Sequence, residues 1–112
     1  MKRRNSCYIG GRGIGDEIRL TASDQAKTMF VDRLLVTPAD VQLTALFKNE
    51  TPIRNEEHLS RISQRDSDAS LYRLLADGVQ LTIGPGDTIV VVAKNAPTRW
   101  RAAFIGWIEA DQ

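Results

Sequence analysis

The spacing of apolar residues changes several times along the chain, and each change marks an element. "SCYI" (6–9) reads as a short strand and "GGRGIGD" (10–16) as a turn or loop. "EIRLT" (17–21) is a second short strand by its apolar–polar alternation. From Ser23 the period lengthens. In "SDQAKTMFVDRLL", residues Ala26, Met29, Phe30, Arg33 and Leu34 fall at i, i+3, i+4, i+7 and i+8, which predicts a helix capped by Ser23. "TPADVQLTALFKN" (37–49) predicts another, with Thr37 as cap, Pro38 in the first turn, and Val41, Ala45 and Leu46 facing inward.

"TPIRNEEHLSRI" (51–62) predicts a short helix with Asn55 as cap and Glu56 and Glu57 at the positive end of its dipole. "RISQRDSDASLYRLLADG" (61–78) predicts a helix from about Ser67 to Ala76. Asp66 or Ser67 is its cap, Leu71, Leu74 and Leu75 share a face, and Gly78 is the stop. Beyond it the pattern is β-rich. "VQLTI" and "TIVVVA" flank "GPGD" (84–87), where Pro85 and Gly86 suit a type II turn. Ile89 to Val92 is apolar on both faces, which predicts a central strand covered on both sides. "TRWRAAFIGWIE" (98–109) is a last strand, with Trp100, Ala102, Phe104 and Ile108 on one face and Arg99, Arg101 and Trp107 on the other. The expected fold is a single mixed α/β domain over residues 1–112, with a central mixed sheet, helices and a C-terminal β-rich half.

Composition narrows the function. Of the 112 residues, 42% are hydrophobic and 26% charged, an ordinary globular mixture. Fifteen Lys and Arg stand against fourteen Asp and Glu, a formal net charge of +1. So balanced a chain has no global field for long nucleic acid or an anionic membrane, and any anion site must be local. Eleven of the fifteen cations are arginine, whose planar fork suits phosphate and carboxylate. Cys7 is the only cysteine, which excludes an internal disulfide and a thiolate metal cage. The basic start "MKRRNSCYIGGRG" has no apolar stretch behind it, so a cytoplasmic protein is expected. His58 is the only histidine and carries no recognisable metal-ligand spacing; neither a metal nor a cofactor is expected.

"GGRGIG" lacks the G-K-[ST] of a phosphate loop, although Arg12 at its tip can meet an anion. Gln64 and Arg65 stand just ahead of the predicted helix start at Ser67, where free N–H groups and the dipole favour phosphate. Arg99 and Arg101 flank a tryptophan, and aromatics beside arginines can stack bases. The candidate ligand-binding residues are therefore Gln64, Arg65, Ser67, Arg12, Arg99 and Arg101.

"RISQRDSDASLYRLLADGVQLTIGPGDTIVVV" resembles a segment of the YddF-like family of small phage, archaeal-virus and mobile-element proteins, which includes viral ring nucleases that cleave cyclic tetra-adenylate. The matching features are Ile62, Ser67 at a helix start, Leu74 with Leu75, Gly86 with Asp87, and Ile89 to Val92. The resemblance covers about thirty residues. It implies a mixed α/β homodimer that closes over a cyclic nucleotide and acts in counter-defence. Where the family carries a glycine and its catalytic histidine, this chain has Ser63 and Gln64. Gln64 cannot exchange a proton at neutral pH, so binding with little or no ring cleavage is expected, and no catalytic residue is assigned. The alternative is a protein–protein inhibitor or adaptor without a small ligand, acting through a patch around Trp107.

Overall fold

A computed structural model describes residues 2–77 and 80–111. Among them are ten strands and one α-helix: β1 (Lys2–Arg12), β2 (Glu17–Thr21), β3 (Met29–Thr37), β4 (Gln42–Lys48), β5 (Thr51–Asn55), α1 (Glu56–Ile62), β6 (Ser63–Arg65), β7 (Ser70–Arg73), a single 3-10 turn at Leu74–Asp77, β8 (Leu81–Ile83), β9 (Thr88–Lys94) and β10 (Arg101–Asp111). They form two antiparallel sheets. The first runs β1-β10-β3-β7-β6, with β8 also on β3, and the second runs β2-β9-β4-β5. The domain is a mostly β structure, and the mixed α/β expectation is corrected.

The two longest expected helices are strands, and the reason lies in their bulges. In β3 the buried residues are Met29, Val31, Leu34 and Val36. The register on β10 skips Asp32, pairing Gly106 with Val31 and Ile105 with Arg33. One inserted residue turns a spacing of two into a spacing of three, so a strand acquires a helix-like pattern. β4 repeats the device: Val41, Leu43 and Leu46 are buried, and the register shifts between Leu43 and Ala45. Neither Ser23 nor Thr37 caps a helix. Thr37 ends β3, and a cis Thr37–Pro38 bond leads into the turn before β4.

The helix expected from Ser67 is the second half of a hairpin. β6 pairs with β7, and Asp66 N–H donates to Ala69 C=O at 2.8 Å across its loop. Ser70, Tyr72 and Leu74 point inward at period two. The expected stop, Gly78, lies outside the described residues.

Other expectations hold. Asn55 caps α1, its Oδ1 accepting from His58 N–H at 2.8 Å, with Glu56 and Glu57 in the first turn. Gly86 takes φ +75° and Asp87 N–H donates to Gly84 C=O at 3.1 Å, the closure expected of the Gly-Pro-Gly-Asp turn. β9 is central, between β2 and β4. The cover expected on both sides is not there: among the described residues no layer lies over its outer face, where Val90 is 8% exposed because Arg19 and Phe47 flank it in register.

The inner faces of the two sheets meet in one core. Val31, Leu34, Val36 and Phe104 come from the first sheet, and Ile18, Leu46, Ile89 and Val91 from the second. Each such burial contributes about 1.5–3 kcal/mol before chain entropy is counted. Leu59 of α1 is fully buried among them. At the other crossing, Gly15 (φ +62°) occupies the tight turn between Ile14 and Glu17, which hydrogen-bond each other's backbones and carry the chain from β1 to β2.

Candidate functional site

β1 and β10 pair along their whole length, which brings Arg12 directly opposite Arg101. On the other side of β10, Arg101 pairs with Thr37 at the end of β3. Residues opposite one another in an antiparallel ladder point to the same face. Ala102 and Phe104 are buried, so Arg101 and its neighbours in register point outward.

Trp100 precedes Arg101 and is 2% exposed. Its indole N–H donates to Gly15 C=O at 2.9 Å, and Gly13 N–H donates to Trp100 C=O at 2.8 Å. The ring lies flat on Gly13, where a Cβ would fall 1.7 Å from Nε1. This lock fastens the loop after β1 to the start of β10 and fixes Arg12 beside Arg101.

Arg12, Arg99 and Arg101 line one open cleft of about 480 Å³, together with Thr37 and Thr98. All three arginines are exposed, and among the described residues none forms an ion pair. No carboxylate lines the cleft. Three guanidinium groups with no ion pair among the described residues thus share one spot with two hydroxyls, on a chain of nearly zero net charge, and are donors of the kind that suit an anion.

The remaining sequence candidates do not join them. Gln64 lies on the same outer face but at the far edge. The row runs Gly10, Ala103, Leu35, Leu71, Gln64 across five strands, about 19 Å at ~4.8 Å per strand. Arg65 alternates to the opposite side, in register with buried Ser70. Ser67 sits in the hairpin loop, and its N–H donates to Asp66 Oδ1 at 2.8 Å. Asp66 and Asp68 stand on either side of Ser67 and no helix starts there, so the dipole expected to favour phosphate is absent.

A larger hollow of about 570 Å³ lies beside α1, lined by Glu56, Glu57, Lys94 and Tyr72 among others. Its charges are matched, Lys94 of the lining pairing with Glu56 and Arg61, from outside the lining, with Glu57. Burial raises the Tyr72 pKa above its usual value, so its hydroxyl stays protonated at neutral pH. Burial likewise raises Cys7, which keeps that thiol from being an activated nucleophile. Among the described residues no three His, Cys, Asp or Glu side chains converge as metal ligands. No described helix is long and apolar enough to cross a membrane.

The sequence gives one strand of this outer face, with Arg101 and the patch around Trp107, but not the residues that β1, β3 and β7 add to it. Phe30 and Trp107, opposite each other in register, stack at 5.9 Å with 18° between planes. Arg4 lies over the Trp107 ring, 4.6 Å from its centroid. Tyr8 stands 76% exposed two residues before the Gly10 that faces Ala103. Only the period-two pairing of β1 with β10 and β3 collects these residues. Comparison with known proteins finds no matching family, no matching curated protein and no matching solved structure.

Proposed function

We propose that the protein binds the phosphate of a nucleotide in the cleft of Arg12, Arg99 and Arg101 and does not turn it over. The observation that carries this reading is the convergence of three exposed arginines, unpaired among the described residues, in a cleft without a carboxylate. The absence of turnover follows from the lining. Arginine, threonine and buried tryptophan offer neither an imidazole nor a carboxylate to move a proton. His58 lies on α1, beside the other hollow's Glu57.

In the role drawn from the family resemblance, the ligand is a cyclic nucleotide messenger, sequestered in the cytoplasm by a phage or mobile-element protein. The probe is then cyclic tetra-adenylate, titrated by calorimetry into the wild type and Arg101→Ala. A hydrogen bond to a charged group contributes about 1.5–3 kcal/mol, so the variant should bind about tenfold to a hundredfold more weakly. Equal affinity would remove Arg101 from the site. The product analysis of the same mixture should contain intact ring; linear product accumulating over many turnovers would overturn the non-catalytic reading.

The homodimer and adaptor readings draw support from one observation, the half-buried apolar residues Phe30, Leu35, Ile105 and Trp107 on the outer face. Sedimentation at tens of micromolar tests self-association through that face.

A further inference from the structure

The arginine cleft is one end of a longer surface. Along the outer face of the first sheet the ladder sets Arg12 beside Arg101, then Gly10 beside Ala103, then Tyr8 beside Ile105, with Arg33 and Arg73 continuing that last row. The next row holds Trp107 and Phe30, and beyond it Arg4 faces Glu109. Among the described side chains, five arginines thus share this face with two carboxylates, Glu109 and the bulge residue Asp32, which pairs with Arg33 at 3.4 Å. Most of the chain's carboxylates lie in loops, in α1 and on the second sheet. The near-neutral total conceals a basic face.

That face also has the relief a base needs. A hollow of about 300 Å³ opens beside Tyr8, floored by Gly10 and Ala103 and walled by Arg12 and Arg101, the arginines of the main cleft. A flat floor of small residues between an exposed tyrosine ring and two guanidinium planes can accept a base face-on, with its phosphate beside the arginines.

We propose that the outer face of the first sheet binds single-stranded RNA, with the backbone entering at Arg12 and Arg101, a base stacked against Tyr8, and the strand continuing over Arg33 and Arg73. This extension rests on the reading of the arginine cleft above. Charge complementarity selects a polyanion. A single strand is required because a duplex hides the base faces that Tyr8 would stack. Thr37, in register with Arg101, supplies a hydroxyl that can meet the 2′-hydroxyl distinguishing RNA from DNA.

The test is fluorescence anisotropy with a labelled 12-nucleotide single-stranded RNA, its duplex form and the DNA of the same sequence, alongside cyclic tetra-adenylate. The single strand should bind tightest. Four phosphate contacts give a salt slope near −3, so affinity should fall about 50-fold between 50 and 200 mM salt. Tyr8→Ala should weaken RNA binding about tenfold, and Arg33→Ala should flatten the salt slope by about 0.7, while Arg61→Ala on α1 leaves both unchanged. Circular dichroism of each variant confirms that the sheet is intact. Cyclic tetra-adenylate binding without any gain for the 12-mer, and without loss in Tyr8→Ala or Arg33→Ala, would overturn the extension and leave the cleft standing. Equal affinity for DNA would overturn the RNA assignment, as would preference for the duplex. Binding of none of the probes would remove both readings, and a dimer occluding this face would overturn the extension alone.

Discussion

Replacing Gly13 with alanine should unfold the molecule far more easily than an Ala-for-Gly change in a surface loop. The added Cβ would lie 1.7 Å from Trp100 Nε1, 2.2 Å from Cε2 and 2.3 Å from Cδ1. Comfortable non-bonded contact is about 3.5–4.0 Å, so ring and backbone must part by about 2 Å. Neither is free to move. The ring is 2% exposed and held by Gly15 C=O at 2.9 Å, while Gly13 N–H holds Trp100 C=O at 2.8 Å. Overpacking of this kind costs about 1–3 kcal/mol. Losing the indole hydrogen bond adds about 0.5–1.5 kcal/mol, for a combined loss of about 2–4 kcal/mol. A chain of this length has about 6–17 kcal/mol in total. At about 4 °C per kcal/mol for a chain of this length, Tm should fall by roughly 8–16 °C. Urea unfolding followed by tryptophan fluorescence measures the loss directly. The double variant Gly13→Ala with Trp100→Phe should lose less than the sum of the two single changes, because the smaller ring leaves room. A Gly13→Ala protein within about 0.5 kcal/mol of the wild type would refute the ring-on-glycine contact, and with it the fixing of Arg12 beside Arg101.

Three further outcomes follow from other parts of the structure. Asp87 accepts hydrogen bonds from Asn49 Nδ2 at 2.9 Å and Gly84 N–H at 2.8 Å, with Lys48 at 3.5 Å, and these hold its carboxyl below the usual value. A lowered folded pKa stabilises the fold at neutral pH. That contribution is lost as pH falls through the unfolded value near ~3.9 and on through the lower folded one. The Tm gap between the wild type and Asp87→Asn should therefore be wide at pH 6 and close below about pH 4; a gap independent of pH would contradict this. Glu50 is held at φ +70° beside Asn49 at +50° in the two-residue turn joining β4 and β5. Glu50→Gly should raise stability by about 0.5–1 kcal/mol, and a lower melting temperature would show that the side chain matters more than the strain. Arg65→Ala, on the side of the sheet away from the arginine cleft, should change neither ligand affinity nor Tm; a tenfold affinity loss would return the site to the β6–β7 hairpin.

How much of this was legible in the sequence differed from element to element, for physical reasons. The Asn55 cap, the Gly-Pro-Gly-Asp turn and the strands after it could be read because each depends on local chemistry: a side-chain acceptor, a fixed φ or a run of β-branched residues. β3 and β4 could not, because a bulge in each makes inward residues recur at three rather than two. Nothing local distinguishes that spacing from a helical one. Three of six candidate ligand residues converge because strand pairing joins Arg12 to Arg101 across almost ninety residues of sequence. Gln64, Arg65 and Ser67 depend on a helix dipole, and a hairpin stands where that helix is expected. The basic face stayed hidden because opposite charges elsewhere cancel it in the total.

The most direct measurement is an amide proton–nitrogen NMR titration of the protein with cyclic tetra-adenylate. Shift changes should concentrate at 10–13, at Thr37 and at 98–103, around the ends of β1 and β3 and the start of β10 where the three arginines lie. Changes confined to the β6–β7 hairpin or to α1, or none at saturating ligand, would contradict the arginine cleft as the site.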